Sequence, residues 1–361
     1  MYKYKIGKDT LLIKLIGRIT SSNIHEIEEG LVKLVEENIG LELVIDAEDL
    51  RYISSAGLRT LLRIRRLKNR SFEIRNVPDE IYDIFAVTNF FDLFDVRKPI
   101  RNVYLDNNHQ TFRGINGGIY LLDDETMVKV FKKGTPYSEV KQEREYSHRA
   151  LVCGIPTLIP FDVVMVGDSY GVVFESAGCE TMASAIKRHP EKLEEFAKSF
   201  AAFLHDIHSI TINDEFPDVK ERYRRWVEKA GRSLSARDRK DLDMLIGGVP
   251  DSNRYIHGYI TPGNVIINRG EFMLIDMAGS AHGHPFFDIQ GLNSALVEIE
   301  KDRPMYCSST FGVSAENCSR FWDTFFRAYM AGRKESELSR MNGLLESSYE
   351  VKKRLLDKLE V

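Results

Sequence analysis

Residues 255–279, YIHGYITPGNVIINRGEFMLIDMAG, constrain this chain more than any other stretch. Two apolar runs, Val265 to Ile267 and Phe272 to Ile275, are bracketed by turn chemistry at Pro262-Gly263 and Arg269-Gly270, which predicts a short β-hairpin. Polar side chains gather at its ends: His257 and Asn264 before the first strand, Asp276 after the second. Loops anchored on buried strands are where chemistry is commonly placed, because the rigid element fixes the polar group.

The spacing resembles the catalytic and metal-binding loops of the aminoglycoside phosphotransferase and choline kinase-like family. There, H-G-D is followed after four residues by N, and then by a hydrophobic strand ending in I-D. His257, Gly258, Asn264 and Asp276 match; Tyr259 does not. The resemblance implies a bilobal protein kinase-like fold that binds ATP and Mg²⁺, with Asn264 and Asp276 holding the metal and His257 as structural support. Tyr259 occupies the position of the family's aspartate, which accepts the proton of the substrate hydroxyl. A phenol is neutral at pH 7, and a positioned general base is worth roughly 10² to 10⁴ in rate. Transfer is therefore expected to be weak or absent while Mg-nucleotide binding persists.

At 361 residues the chain is long enough for about two domains, each with its own core. No run approaches the ~20 apolar residues that span a bilayer, and the amino terminus lacks the apolar core of a signal peptide. The expectation is a cytoplasmic protein without membrane insertion. A net charge of -4 gives no general attraction for nucleic acid. Cys153, Cys179, Cys307 and Cys318 form no C-x-x-C pair and read as reduced packing residues.

In the first part, strands are predicted at Leu11 to Ile16, Leu41 to Ile45 and Phe72 to Asn76. Helices are predicted over Ile24 to Glu37, from Ser54 or Ser55 to Leu67, and from Pro78 through Phe85. A helix amino terminus leaves N–H groups unpaired and suits a phosphate; a serine there is equally explained as a cap. Asp46 and the run Ile53-Ser54-Ser55-Ala56-Gly57-Leu58 resemble the D-S-x-G-L pattern of the STAS fold, the module of anti-sigma factor antagonists. That resemblance implies a regulatory partner, an anti-sigma factor or another protein, and puts Ser55 on the serine that partner kinases phosphorylate. Arg59, Arg63, Arg65, Arg66, Lys68 and Arg70 read as a solvated basic helix face, a docking surface for an acidic partner being the alternative. Phe90, Phe91, Leu93 and Phe94 read as a core patch. This domain is placed at 1–100, followed by a polar linker at 101–111.

Residues 112–361 then read as the kinase-like domain, with an N-lobe at about 112–175 and a C-lobe at about 179–361. The run GINGGIY, 114–120, is a glycine-bearing turn in which Gly117 and Gly118 would let backbone approach phosphates. Met127 to Phe131 alternates as a strand carrying Lys129, which by resemblance meets the α- and β-phosphates. The following helix, Ser138 to Leu151, offers Glu139, Glu143 and Glu145 as its partner; the family spacing to Gly154-Ile155-Pro156 favours Glu143 over Glu145. Tyr170 to Glu175 runs into Ser176-Ala177-Gly178, which the resemblance makes the hinge that receives adenine, with Glu175 at its edge. Glu191 to His208 is a long amphipathic helix whose His205 and His208 read as structural. The segment KERYRRW, 220–226, reads as an exposed helix face, contact with an anionic partner being the alternative. Gly283 to Asp288 matches the family element G-x-P-x-x-D, whose aspartate braces the catalytic loop.

The expected fold class is thus an α/β STAS domain followed by an α+β kinase-like phosphotransferase fold. The expected function is bacterial-type regulation, a partner-switching module joined to a nucleotide-binding domain with an altered catalytic position. The alternative is an active ATP-dependent phosphotransferase acting on a small hydroxylated molecule.

Overall fold

The computed structural model describes residues 1–105, 110–114, 117–176, 180–213, 215–268 and 270–359. Of the positions singled out above, linker residues 106–109, Ile115, Asn116, Ala177, Gly178, Cys179 and Arg269 lie outside them. The chain divides into two compact units, Met1–Arg101 and Asn102–Val361.

The first unit runs β1 (Tyr2–Ile6), β2 (Thr10–Ile19), α1 (Ile24–Glu37), β3 (Glu42–Ile53), α2 (Ser55–Lys68), β4 (Glu73–Arg75), α3 (Asp79–Val87) and β5 (Asp95–Val96). Its sheet has the order β1-β2-β3-β4-β5, with β1 antiparallel to β2 and every later pair parallel. Ile24, Ile27, Leu31, Leu34 and Val35 face inward from α1, as the helical period of these residues requires. They join Leu61 and Ile64 of α2 and the strand residues Ile13 and Ile45 in one core.

Two expectations are corrected in this unit. The second strand does not end near Asp46: β3 continues to Ile53, and its pairing with β2 shifts register twice, between Lys14 and Ile16 and between Gly17 and Arg18. Gly17 adopts φ +76° at that place, a conformation that glycine reaches without penalty. The basic face of α2 is solvated at Arg59, Arg63, Arg66 and Arg70, as expected, but not at Lys68 and Arg65. Lys68 is buried and donates to the carbonyls of Ile39 (2.6 Å) and Leu41 (2.5 Å), while Arg65 donates to the Leu93 carbonyl. These cations stitch α2 to neighbouring loops by satisfying backbone oxygens.

The second unit opens with β6 (Gln110–Gly114), β7 (Gly117–Leu121), β8 (Thr126–Phe131), α4 (Tyr137–Val152), β9 (Pro160–Val166) and β10 (Ser169–Glu175). The five strands form an antiparallel sheet of order β6-β7-β8-β10-β9. Val140 of α4 packs beneath it against Met127, Val172 and Phe174. Gly117 and Gly118 are strand residues, not turn residues: they pair with Phe131 and Val130.

The rest of this unit is mainly helical: β11 (Glu180–Thr181), α5 (Met182–Arg188), α6 (Leu193–Ile207), α7 (Val219–Ala230), α8 (Ala236–Gly248), β12 (Arg254–Ile256), β13 (Val265–Asn268), β14 (Glu271–Leu274), β15 (Ala281–Gly283), α9 (Phe286–Asn293), α10 (Ile299–Asp302), α11 (Tyr306–Phe311), α12 (Ala315–Tyr329) and α13 (Glu335–Leu359). Its core is dominated by Phe200, Tyr255, Phe321 and Phe325. The hairpin β13–β14 pairs Val265 with Leu274 and adds β11 on its free edge. Leu274 donates its N–H to Pro156 and accepts at its carbonyl from the Thr157 hydroxyl, both at 2.8 Å, so the hairpin is tied to the loop after α4. Pairing of β12 with β15 lays Ile256 against Ala281 and brings residues 257–258 beside 279–280. Among the described residues no helix is long and apolar enough to cross a membrane.

Candidate active site

The open end of the β13–β14 hairpin assembles the polar groups. A turn of 3₁₀ helix, Pro262–Asn264, leads into β13, and the Ile275 N–H donates to the Asn264 carbonyl (3.0 Å). The next residue, Asp276, is held in the left-handed region at φ +67° and ψ +54°, which an aspartate tolerates better than most side chains. Its Oδ1 accepts from Lys129 Nζ at 2.5 Å, and Glu143 Oε1 accepts from the same ammonium at 3.0 Å. Glu143 is fully buried, and its two oxygens also accept from the N–H groups of Met277 (3.2 Å) and Ala278 (2.7 Å). One carboxylate of α4 thereby fixes both the lysine of β8 and the backbone after Asp276. Burial alone would lower the Lys129 pKa, but the charges of Glu143 and Asp276 outweigh it and hold the ammonium above its ordinary value. Glu145, by contrast, faces Lys141 and Arg149 on the helix surface.

The loop after β12 is braced from below. Asp288 on α9 is buried and accepts from the backbone N–H of His257 (2.7 Å) and of Gly258 (2.7 Å), and from His208 Nε2 (3.2 Å). Burial would raise this carboxyl's pKa; the His208 bond, with His257 behind it, prevails and keeps it below the usual carboxylate range. His208 Nδ1 meets the Tyr329 hydroxyl at 2.7 Å, so both its nitrogens are used inside the fold. His257 is wholly buried: Nε2 donates to the Ile275 carbonyl (2.9 Å) and Nδ1 accepts from the Tyr259 N–H (3.2 Å). These partners assign the Nε2-protonated tautomer.

Tyr259 is half exposed, and its ring packs over Gly279, where a Cβ would approach the ring carbon Cδ2 to 2.3 Å. Its carbonyl accepts from Asn264 Nδ2 at 2.8 Å, which leaves Oδ1 as the available oxygen of Asn264. Asn264 and Asp276 thus present an amide oxygen and a carboxylate at one end of the hairpin. Among the described residues no group of three His, Cys, Asp or Glu could hold a metal. A two-oxygen set suits Mg²⁺, which takes few protein ligands and completes its shell with water and phosphate.

The remaining expected positions are farther from this cluster in role. Gly118 lies opposite Val130, one residue from Lys129, and its bare Cα makes room for the Tyr120 ring. Glu175 ends β10 and its Oε1 accepts from the Ile159 N–H at 2.9 Å, so its carboxylate ties the end of β10 to the residue before β9. In the first unit, Ser54 is the cap of α2, its Oγ accepting from Gly57 N at 3.3 Å. Ser55 is exposed at the first helical position, in a groove of about 820 Å³ that it shares with His25, Glu28, Arg59, Arg63 and Arg66.

The segment 220–226 departs from the exposed face expected of it. Lys220 is buried and reaches the Val249 carbonyl (2.5 Å) and Asp251 (2.6 Å), and Tyr223 is buried as well. Arg222 donates from Nη1 to the Gly279 carbonyl at 2.7 Å, directly beside the loop of Tyr259. Sequence spacing could not place it, because only the fold of α7 against β15 brings it there. The one signal was chemical, a basic and aromatic run for which contact with an anion was the alternative reading.

Two family models match the chain, one over each unit. A family model for the STAS domain matches residues 2–105, and one described as the phosphotransferase enzyme family matches residues 112–343. Among solved structures, the ADP-bound aminoglycoside phosphotransferase APH(2'')-Ib is 17% identical, covering 76% of this chain and 99% of its own, with a TM-score of 0.38. A choline/ethanolamine kinase family protein from Mesorhizobium loti is 12% identical over 69% of this chain and 79% of its own, with a TM-score of 0.41. The anti-sigma factor antagonist SpoIIAA, in its unphosphorylated form, is 14% identical over 24% of this chain and 82% of its own, with a TM-score of 0.21. The chain belongs to the phosphotransferase enzyme family and carries a STAS domain ahead of its kinase-like fold.

Proposed function

We propose that this is a regulatory protein whose second unit binds Mg-ATP and whose first unit is a partner-switching module with Ser55 as its modifiable serine. The observation that carries the reading is Lys129, fixed between Glu143 and Asp276 at the mouth of the hairpin. A largely covered ammonium held by two carboxylates is a mark of functional sites, and a lysine so placed is suited to grip phosphate oxygens. Asn264 and Asp276 would hold the metal, which when bound neutralises charge on the phosphates. Asp288 and His257 keep the loop between them rigid through the bonds already described. Tyr259 offers a phenol where a proton acceptor is needed, so transfer to a neutral hydroxyl is weak.

Melting the full chain with and without Mg-ATP tests the binding step. A ligand that binds only the folded state stabilises by about 2.7 kcal/mol at 100 times its Kd. We expect a rise for the native chain that is lost in Lys129→Met and in Asp276→Asn. An unchanged melting temperature at millimolar nucleotide would defeat the reading.

A further inference from the structure

Arg222 carries a second statement about the same site. Its Nη1 is satisfied by the Gly279 carbonyl, but Nε and Nη2 are buried with no hydrogen-bond partner, and no carboxylate among the described residues forms an ion pair with it. Nε and Nη2 are the two donors along one edge of a guanidinium, the edge that grips a carboxylate or phosphate through two parallel bonds. A buried cation with its binding edge unpaired is costly to keep. The surroundings are shaped around it. A Cβ on Gly258 would meet the Gly279 carbonyl at 2.1 Å, and φ +82° favours glycine as well, so glycine at 258 lets the loop pass close against the same carbonyl that Arg222 holds. Arg222 and the Tyr259 ring both meet Gly279, three residues after Asp276.

We infer that the Nε–Nη2 edge of Arg222 binds the oxyanion of the acceptor, a small carboxylate or phosphate, beside the nucleotide site. The inference rests on the nucleotide reading above and names its acceptor class. It also accounts for Tyr259. A carboxylate or phosphate oxygen is already ionised at neutral pH, so it needs no base. That oxygen forms a bond to the γ-phosphorus of ATP, the bond from this phosphorus to the β–γ bridging oxygen breaks, and ADP leaves with the electron pair. No proton is removed, and the products are ADP with an acyl phosphate or a phosphoanhydride. Arg222 then determines which acceptors fit, and a neutral alcohol fits neither the arginine nor the phenol.

The test has a binding arm and a turnover arm, both on the full chain. In the first, melting temperature is followed against inorganic phosphate and against succinate, with chloride at equal ionic strength as the control, for native protein, Arg222→Gln and Arg222→Lys. The expected result is a rise with phosphate or succinate beyond chloride that disappears in Arg222→Gln and is mostly lost in Arg222→Lys, which keeps the charge but not the fork. In the second, ADP release from Mg-ATP is compared with succinate, phosphate or glycerol as acceptor. Release stimulated by one of the anions and not by glycerol is expected, with the apparent KM for that anion raised roughly 10- to 100-fold in Arg222→Lys. Anion shifts equal in native and variant proteins, shifts no larger than chloride gives, or stimulation by glycerol alone overturn the inference. The Mg-ATP shift, measured on the same three proteins, separates the two claims: its absence defeats the nucleotide reading, while its survival in Arg222→Gln with the anion shift gone supports the site argued here.

Discussion

The Tyr259 backbone is held on both sides, its N–H by His257 Nδ1 and its carbonyl by Asn264 Nδ2, so the side chain at this position is presented by a fixed frame. Changing the side chain changes the chemistry without moving the frame. Tyr259→Asp should therefore raise transfer from ATP to a hydroxyl acceptor by roughly 10² to 10⁴, read as acceptor-dependent ADP formation; equal rates in the two proteins would mean that a base was never missing. Asp288 makes the opposite case, a residue whose role is the frame itself. Asp288→Asn loses the buried charge that His208, His257 and Gly258 converge on, and breaking such a pair costs about 3–5 kcal/mol. Because the folded carboxyl titrates below its ordinary value, its stabilisation is complete above the unfolded pKa of about 3.9 and is lost as pH falls through the folded value. Urea midpoints of the native chain should therefore fall below about pH 4, and the Asn variant should show a flatter acid limb.

At the scale of elements, the start of α2 separates two adjacent serines, either of which sequence alone allows as the helix cap. Ser54 is buried and caps the helix; Ser55 is exposed and bonded to nothing that ends the helix. Ser54→Ala should cost about 1 kcal/mol, visible in thermal melts, and Ser55→Ala close to nothing; equal losses would refute the division of labour. Elements with a strong period were legible. Helix α1 runs Ile24–Glu37, the span its apolar stripe marks out, and β13 and β14 pair the two predicted apolar runs. Strand β1 was not legible, because as an edge strand with four exposed residues it shows no buried face to alternate against. Strand β3 was cut short because Asp46, Glu48 and Asp49 interrupt its apolar run where the register with β2 shifts. In the candidate site, His257, Asn264, Asp276 and Asp288 sit within one continuous stretch and could be read through the family resemblance. Arg222 could not: it arrives on α7, and only pairing of β12 with β15 and the packing of Val219 on Gly283 bring that helix to the loop.

For the whole molecule, each unit encloses a hydrophobic cluster of its own, around Ile13, Ile45 and Ile64 in the first and around Phe200, Tyr255 and Phe325 in the second. Two cores imply two cooperative transitions in calorimetry of the full chain. Ser54→Ala assigns the first, since about 1 kcal/mol moves a unit of this size by roughly 4–8 °C, and Mg-ATP assigns the second. The regulatory reading asks for more than two folded units on one chain. A nucleotide that informs the STAS module must shift an equilibrium of that module, and such linkage is reciprocal and typically worth about 1–3 kcal/mol. Saturating Mg-ATP should therefore displace both transitions, the second by direct binding and the first by coupling, and the coupling should vanish in Lys129→Met. A first transition that stays fixed while the second climbs would leave the two units tethered but silent to each other, and nucleotide could not be the input that the fusion exists to read.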